Sequence, residues 1–287
     1  MKANHGPLTF ESVTIDLMAD SSLDARGVVA RAHDVAPARA VIGRDVAEVV
    51  RALAAAAGGS AVVAPDIDAI GGAAADRPRI LLVASPSVPE GRALTRDEID
   101  RIIAATPRDG LVIIDESLSE FASSPRAAFA APLSGPAMTD PRLAVVRGVS
   151  RAADTDAPRA GYAITAPEVA ARTAPAEPTA VQLAEIVRCL SPDGLDDIFD
   201  RADWIRAERQ HIERTLRDRM EKAELERRPF IDIVHSDADA VWLPVGPGAE
   251  SLGAHAGGTV HAGRGVRYEI GSDGDAFIDA VSEWVAR

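Results

Sequence analysis

The sequence predicts an α/β fold: a mainly parallel sheet flanked by helices, with a smaller α/β unit at the C-terminal end. Three observations lead there. Ile80–Val83 and Leu111–Ile114 are continuously apolar runs of strand length, the pattern of strands buried on both faces. Thr95–Ala105 between them reads as a helix, with Thr95 as N-cap and Glu98 three positions on completing a capping box. Phe230–Arg287 alternates short strands with Gly-rich loops and closes on an amphipathic helix carrying Phe277, Ile278, Val281, Trp284 and Val285.

The remaining elements follow in order. Residues 1–13 are a polar, irregular lead-in, and Thr14–Met18 alternates like an edge strand. Ala40–Ile42 is a short apolar run ending at Gly43. A helical pattern then starts at Asp45, with Val46, Val49, Val50 and Leu53 on one face, and stops at Gly58-Gly59. Ala61–Ala64 is a further strand, and Ile67–Ala75 a Gly/Ala-rich loop. Leu143–Val146 and Ala160–Ile164 are two more strands. Thr165–Pro178 is proline-rich and breaks structure, and a helix follows over Val181–Leu190. Ser191-Pro192 opens a long helical region reaching about Arg227, rich in i, i+4 charge pairs, which reads as a solvated structural helix. The expected organisation is an N-terminal arm over 1–35, a large domain over 36–190, and a connecting helix with a small domain over 191–287.

Composition narrows the function. The 287-residue chain is 47% hydrophobic and 26% charged, enough for a sizeable core. Its net charge of −13 argues against nucleic acid and anionic membranes as partners. The first residues have no signal-peptide pattern, no apolar run approaches the ~20 residues of a membrane span, and a cytoplasmic location is expected. Cys189, the single cysteine, sits among Ile186, Val187 and Leu190 and reads as a buried structural thiol. His255 and His261 flank a Gly-rich loop without a nearby carboxylate or thiol, so no metal site is expected. His211 and His235 read as ordinary surface residues. Lys2 and Lys222 are the only lysines.

In a parallel sheet, ligands sit beyond the carboxyl ends of the strands, which places Ser85–Gly91 and Asp115–Glu120 on one rim. Three stretches of the chain, in order, resemble fold type I pyridoxal-phosphate-dependent aminotransferases, most closely the histidinol-phosphate aminotransferase group. Ser85-Pro-Ser-Val-Pro-Glu-Gly91 with Thr95-Arg-Asp-Glu98 is similar to the family's Ser-Pro-Asn-Asn-Pro-Thr-Gly loop and following helix. Asp115-Glu-Ser-Leu118 with Glu120-Phe121 resembles Asp-Glu-Ala-Tyr-x-Glu-Phe. Ser150-Arg-Ala-Ala-Asp-Thr-Asp-Ala-Pro-Arg-Ala-Gly-Tyr162 is similar, without a gap, to Ser-Lys-Ala-Phe-Gly-Leu-Ala-Gly-Leu-Arg-Val-Gly-Tyr. A fourth stretch, Gly265-Val-Arg-Tyr-Glu-Ile-Gly271, resembles a C-terminal Gly-Leu-Arg-Val-Thr-Ile-Gly strand. The first 80 residues match poorly, so the chain looks shortened.

The resemblance implies roles position by position. Asp115 matches the aspartate that pairs with the pyridinium nitrogen of the cofactor; read alone, it could equally be a capping carboxylate at the strand end. Arg159 and Ser150 match the phosphate-binding arginine and hydroxyl. Arg267 matches the arginine that takes the substrate carboxylate. For Arg159 the residue-level alternative is a surface ion pair, and for Arg267 a surface charge. The departures carry more weight. The lysine that bonds the cofactor is here Arg151, whose guanidinium neither condenses with an aldehyde nor acts as a base. The family's asparagine and tyrosine on the ring hydroxyl are Val88 and Leu118. Asp154 and Asp156 add negative charge where a phosphate is expected, and Ala157 replaces a second glycine of the lysine loop. The Gly-rich phosphate turn is reduced to Gly43-Arg-Asp45, and Asp66–Ile70 supplies no aromatic to stack on the ring.

Two readings result. The favoured one is a degenerate aminotransferase homologue with a binding, regulatory or scaffold role, with no covalently held cofactor and at most residual pyridoxal phosphate binding. The alternative is a working pyridoxal-phosphate aminotransferase acting on an amino acid or a histidinol-phosphate-like substrate. Either way the family implies a homodimer, and a small carboxylate or phosphate is the expected ligand class.

Overall fold

The structure, a computed structural model, describes residues 25–59, 61–64, 79–123, 140–149, 151–153, 159–227, 229–271 and 273–287. The strand expected at Thr14–Met18 and the loop expected at Ile67–Ala75 lie outside the described residues.

A six-stranded sheet contains β1 (Ala40–Gly43), β2 (Val62–Ala64), β3 (Ile80–Ala84), β4 (Leu111–Asp115), β5 (Leu143–Gly148) and β6 (Gly161–Thr165), in the order β1-β6-β5-β4-β3-β2. The β2–β3, β3–β4 and β4–β5 pairs are parallel, as the continuously apolar runs predict. β6 runs antiparallel to both β5 and β1, and no apolar pattern distinguishes it because it is buried along its whole length.

Both faces of this sheet are covered. Helix α2 (Val46–Ala56) lays Val49, Leu53 and Ala54 on the face made by Val41, Ile80, Leu111, Ile113, Ala144, Val146 and Ala163. The opposite face carries Leu81, Val83, Val112, Ile114, Leu143, Val145, Tyr162 and Ile164. Against it pack helix α1 (residues 25–32), α3 (Arg96–Ala105), α5 (Ala180–Cys189) and the first half of α6 (Pro192–Leu225). The capping box read from Thr95 and Glu98 is formed, and a second, Thr179 with Gln182, opens α5. A four-residue helix α4 (Pro167–Ala170) interrupts the proline-rich stretch, with Pro167 at its first position, where a missing N–H costs nothing.

A second sheet has the order β7-β9-β8, from β7 (Ala240–Leu243), β8 (Thr259–His261) and β9 (Gly265–Glu269), all antiparallel. Helices α7 (Ala249–Ala256) and α8 (Gly274–Val285) join it around Val241, Leu243, Leu252, Val266, Phe277, Ile278 and Val281. Helix α6 serves both cores: Ile198, Ala202 and Ile205 enter the first, and Ile212, Leu216 and Met220 the second. It is therefore not the solvated helix its charge pairs suggest. Arg209 is 0% and Glu213 3% exposed, because this helix passes between two packed units.

Candidate functional site

The parallel register brings the carboxyl ends of β3, β4 and β5 to one rim. Past the strand ends the pairing continues, with Ser85 N–H donating to the Asp115 carbonyl at 2.8 Å and Glu116 N–H to that of Val146 at 2.9 Å. Because β6 is antiparallel, it begins at this same rim, with Gly161 opposite Gly148. A Cβ on Gly161 would lie 2.5 Å from the backbone of Asp45 and Val46, so glycine there lets the N-terminus of α2 close onto the rim.

Asp115 stands at the centre of this rim. Its Oδ1 accepts from the Ser117 backbone N–H at 3.0 Å and from the Ser117 hydroxyl at 2.6 Å. Ser117 Oγ in turn accepts from Gly148 N–H at 3.1 Å, which fastens the end of β4 to the end of β5. The local turn-closing role weighed for Asp115 from sequence is present. The N-terminus of α2 is finished by Asp45, whose carboxylate accepts from Glu48 N–H at 2.7 Å. Gly43–Asp45 is pinned from outside: Arg44 donates its N–H to Ala176, and Gln182 Nε2 donates to the Arg44 carbonyl at 2.7 Å. A helix N-terminus attracts anions through its free N–H groups and dipole; here a carboxylate already occupies that position.

Arg151 and Arg267 meet. Asp239 Oδ2 lies 3.2 Å from Arg151 Nε, and its other oxygen is paired with Arg267 Nη2. Glu269 Oε1 lies 3.3 Å from Arg151 Nη2 and 2.6 Å from Arg267 Nη1. The result is a closed four-membered network of two guanidiniums and two carboxylates. Partial burial works against ionising Glu269, but the two guanidiniums hold its carboxyl below the ordinary range. Arg267 is 5% exposed, so it is no surface charge, and its buried guanidinium is matched by acids of the chain itself. Glu269 could have been found in sequence, since residues two apart on a strand share a face. Asp239 lies outside any motif and left no such signal.

The other candidates are dispersed. Arg159 is exposed, and among the described residues no hydrogen bond or ion pair joins it, Asp115 and Arg267 to one another. Ser150, Asp154, Asp156, Ala157, Asp66–Ile70 and Lys2 lie outside the described residues. Val88 is 47% exposed, whereas Leu118 is turned into the first core. Lys222 is exposed in the last turn of α6, beside Val285 at the end of α8 and remote from the rim. Cys189 is 1% exposed, and burial first, then the Glu185 carboxylate, push its thiol up to about 12, as suits a structural thiol. Among the described residues no group of three His, Cys, Asp or Glu could hold a metal ion, and no helix is long and apolar enough to cross a membrane.

A second charged cluster, missed from sequence, lies beside the first. Arg209 donates to the carbonyls of Phe121 (2.9 Å) and Ala238 and to Ser123 Oγ (2.6 Å). Glu213 accepts from Ser236 N–H at 3.0 Å and lies 2.9 Å from His235 Nδ1, while Asp237 lies 3.4 Å from His235 Nε2. His235 is exposed, as expected of a surface residue, and its hydrogen bonds to Asp237 and then Glu213 hold its proton up to about 9. Ser123, 3.4 Å from His235 Nε2, completes the connectivity of a nucleophile triad. The imidazole is protonated at neutral pH and cannot take the hydroxyl proton, so the cluster is a tie between segments.

Comparisons with known proteins bear on the rim. A family model for aminotransferases of class I and II matches residues 35–250. An aromatic amino acid aminotransferase of Rhodococcus jostii is 31% identical over 236 residues, covering 77% of this chain and 60% of that protein. One from Mycobacterium avium is 30% identical over 231 residues, covering 77% and 61%. The chain thus spans about three fifths of the length of these curated relatives. Histidinol-phosphate aminotransferase from Sinorhizobium meliloti, solved in complex with pyridoxal-5'-phosphate, shares the fold with a TM-score of 0.69 at 16% identity, covering 93% of this chain and 82% of that one.

Proposed function

This chain belongs to the aminotransferase class I and II family, and from that premise we propose that it acts by binding rather than by transamination, as a homologue without the lysine that the reaction uses. The observation that carries the proposal is the network Arg151–Asp239–Arg267–Glu269. At the position matching the family lysine stands a permanent cation, fixed by two carboxylates. The same carboxylates neutralise the arginine matched to substrate recognition.

The fit of pyridoxal phosphate, whose ring serves as an electron sink in this family, is poor on three further counts. The N-terminus of α2 carries the Asp45 carboxylate where a phosphate dianion would need free N–H groups. Leu118 is buried in the core and Val88 is apolar, so neither donates to a ring oxygen. Neither described arginine of the network has an amine to condense. No covalent step is therefore derived through the cofactor. Asp115, which ends β4 at the rim, and Arg159, exposed just before β6, match the family's pattern and are what favours the alternative of a working enzyme on an amino acid or histidinol-phosphate-like substrate.

The deciding experiment adds pyridoxal phosphate to the purified protein and records absorbance and intact mass with and without borohydride. The expected result is no stoichiometric adduct trapped by reduction, and no amino transfer from amino-acid donors. A trapped adduct on Lys2 or Lys222 accompanied by turnover overturns the proposal.

A further inference from the structure

A cavity of about 500 Å³ lies on the sheet face opposite α2, and Ser117 and Gly148 of the rim line one end of it. That volume is within the range of small-molecule sites. Its sheet wall comes from Arg147 and Tyr162, which share their face with Leu143, Val145 and Ile164, and from Glu116, Ser119 and Glu120 just past β4. Its helical wall comes from Ala32 and His33 at the end of α1, Leu190 after α5, and Leu195, Ile198, Phe199 and Arg206 of α6. None of the residues matched to cofactor or substrate lines it.

The polar side of this cavity is ordered. Glu116 is 0% exposed and pairs with Arg147 at 3.0 Å. Arg147 also hydrogen-bonds Tyr162, and a guanidinium can only donate, so the phenol oxygen accepts. The phenol oxygen lies 3.0 Å from His33 Nε2. Burial, then the Arg147 charge, push His33 down to about 3, so its ring is neutral. In the tautomer whose Nε2 accepts from the phenol, Nδ1 carries the proton. That Nδ1 and the Ser119 hydroxyl, on residues 5% and 8% exposed, have no hydrogen-bond partner. Buried donors without partners are costly, and a small rotation of either side chain would give them a ligand acceptor. The opposite wall is apolar, with Phe199 half exposed at its edge.

We propose that this cavity is a binding site for a small zwitterion, an α-amino acid with an apolar side chain. Its carboxylate accepts from Ser119, His33 and the Arg147 side of the pocket, its ammonium is matched by Glu120, and its side chain lies against Leu195, Ile198 and Phe199. Acids and a guanidinium lining one cavity, facing an apolar wall, fit a ligand that carries both charges and an apolar body. The site is independent of whether the rim performs chemistry.

The test is calorimetric titration of the full chain with L-phenylalanine, 3-phenylpropionate and 2-phenylethylamine, the last two lacking one charge each. L-phenylalanine is expected to bind, with each analogue about tenfold weaker or worse, since a site built for a polar group rejects the analogue without it. Phe199→Ala, at a half-exposed position that tolerates change, is expected to weaken binding several-fold, and Tyr162→Phe likewise. Arg267→Gln is expected to leave it unchanged. No heat with L-phenylalanine, equal binding of the amine alone, or loss of binding in Arg267→Gln with retention in Phe199→Ala each overturns the assignment; the last result would move the amino acid to the rim.

Discussion

Two ionic networks join the second sheet to the first, and they do so under opposite conditions. The one around Arg151, Asp239, Arg267 and Glu269 is open to water on one side: the side chains of Arg151 and Glu269 are 41% and 53% exposed. The one around Arg209 and Glu213 is closed, with both side chains at 4% exposure or less. Solvent screens Arg151 and Glu269, so these two can be exchanged at little cost, whereas Arg267 and Asp239 beneath them are buried. The second leaves no such freedom, because a charge stranded in the interior has nothing to replace its partners. The comparison explains how a rim can change its chemistry while the joint beside it stays fixed.

Four changes sharpen that contrast. Arg209→Ala should have the largest effect, about 3–5 kcal/mol lost in urea unfolding, since buried Glu213 keeps only His235 as a cation and two carbonyls and the Ser123 hydroxyl lose their donor. A loss under 1 kcal/mol would mean the closed network is as dispensable as the open one. Gly91→Ala should cost about 1–3 kcal/mol, because residue 91 has φ +74° and a Cβ there would collide with Ser236 Oγ. Unfolding at several pH values should expose His235. Its folded pKa, about 9, is raised above the ordinary imidazole value of 6.5, so its contribution is complete below about pH 6.5 and lost as pH rises through 9. Wild type should therefore weaken between neutral pH and pH 10, and His235→Gln should lose that segment of the curve. Arg151→Ala should be the mildest, at about 1 kcal/mol or less, and more so at low salt. If it matched Arg209→Ala, the distinction between open and closed networks would fail.

Much of the first sheet was legible in sequence because its strands are buried on both faces and so read as unbroken apolar runs. Thr95 and Glu98 were legible because a capping box is local chemistry. The antiparallel course of β6 was not, since direction within a sheet leaves no mark on a fully buried strand. Asp115, Arg151 and Arg267 were singled out by spacing against a family pattern, and the structure brings the two arginines together. The carboxylates that bind the two arginines were not, because Asp239 reaches Arg151 across 88 positions of chain and belongs to no motif. The buried Glu116–Arg147–Tyr162–His33 group escaped for a similar reason. Each member is unremarkable alone, and only the fold brings the 129-residue separation of His33 and Tyr162 to 3.0 Å. The middle of α6 was misread because charge on a helix usually signals solvent, and here it signals a crossing between two cores.

That crossing has a mechanical consequence. Helix α6 is unbroken over 34 residues, about 50 Å at 1.5 Å per residue, and it donates apolar anchors to each core in turn. Melting either half would strip one end of the shared rod of its packing and propagate fraying toward the other. Calorimetry should accordingly record a single cooperative endotherm for the whole chain, not a separate peak for each sheet.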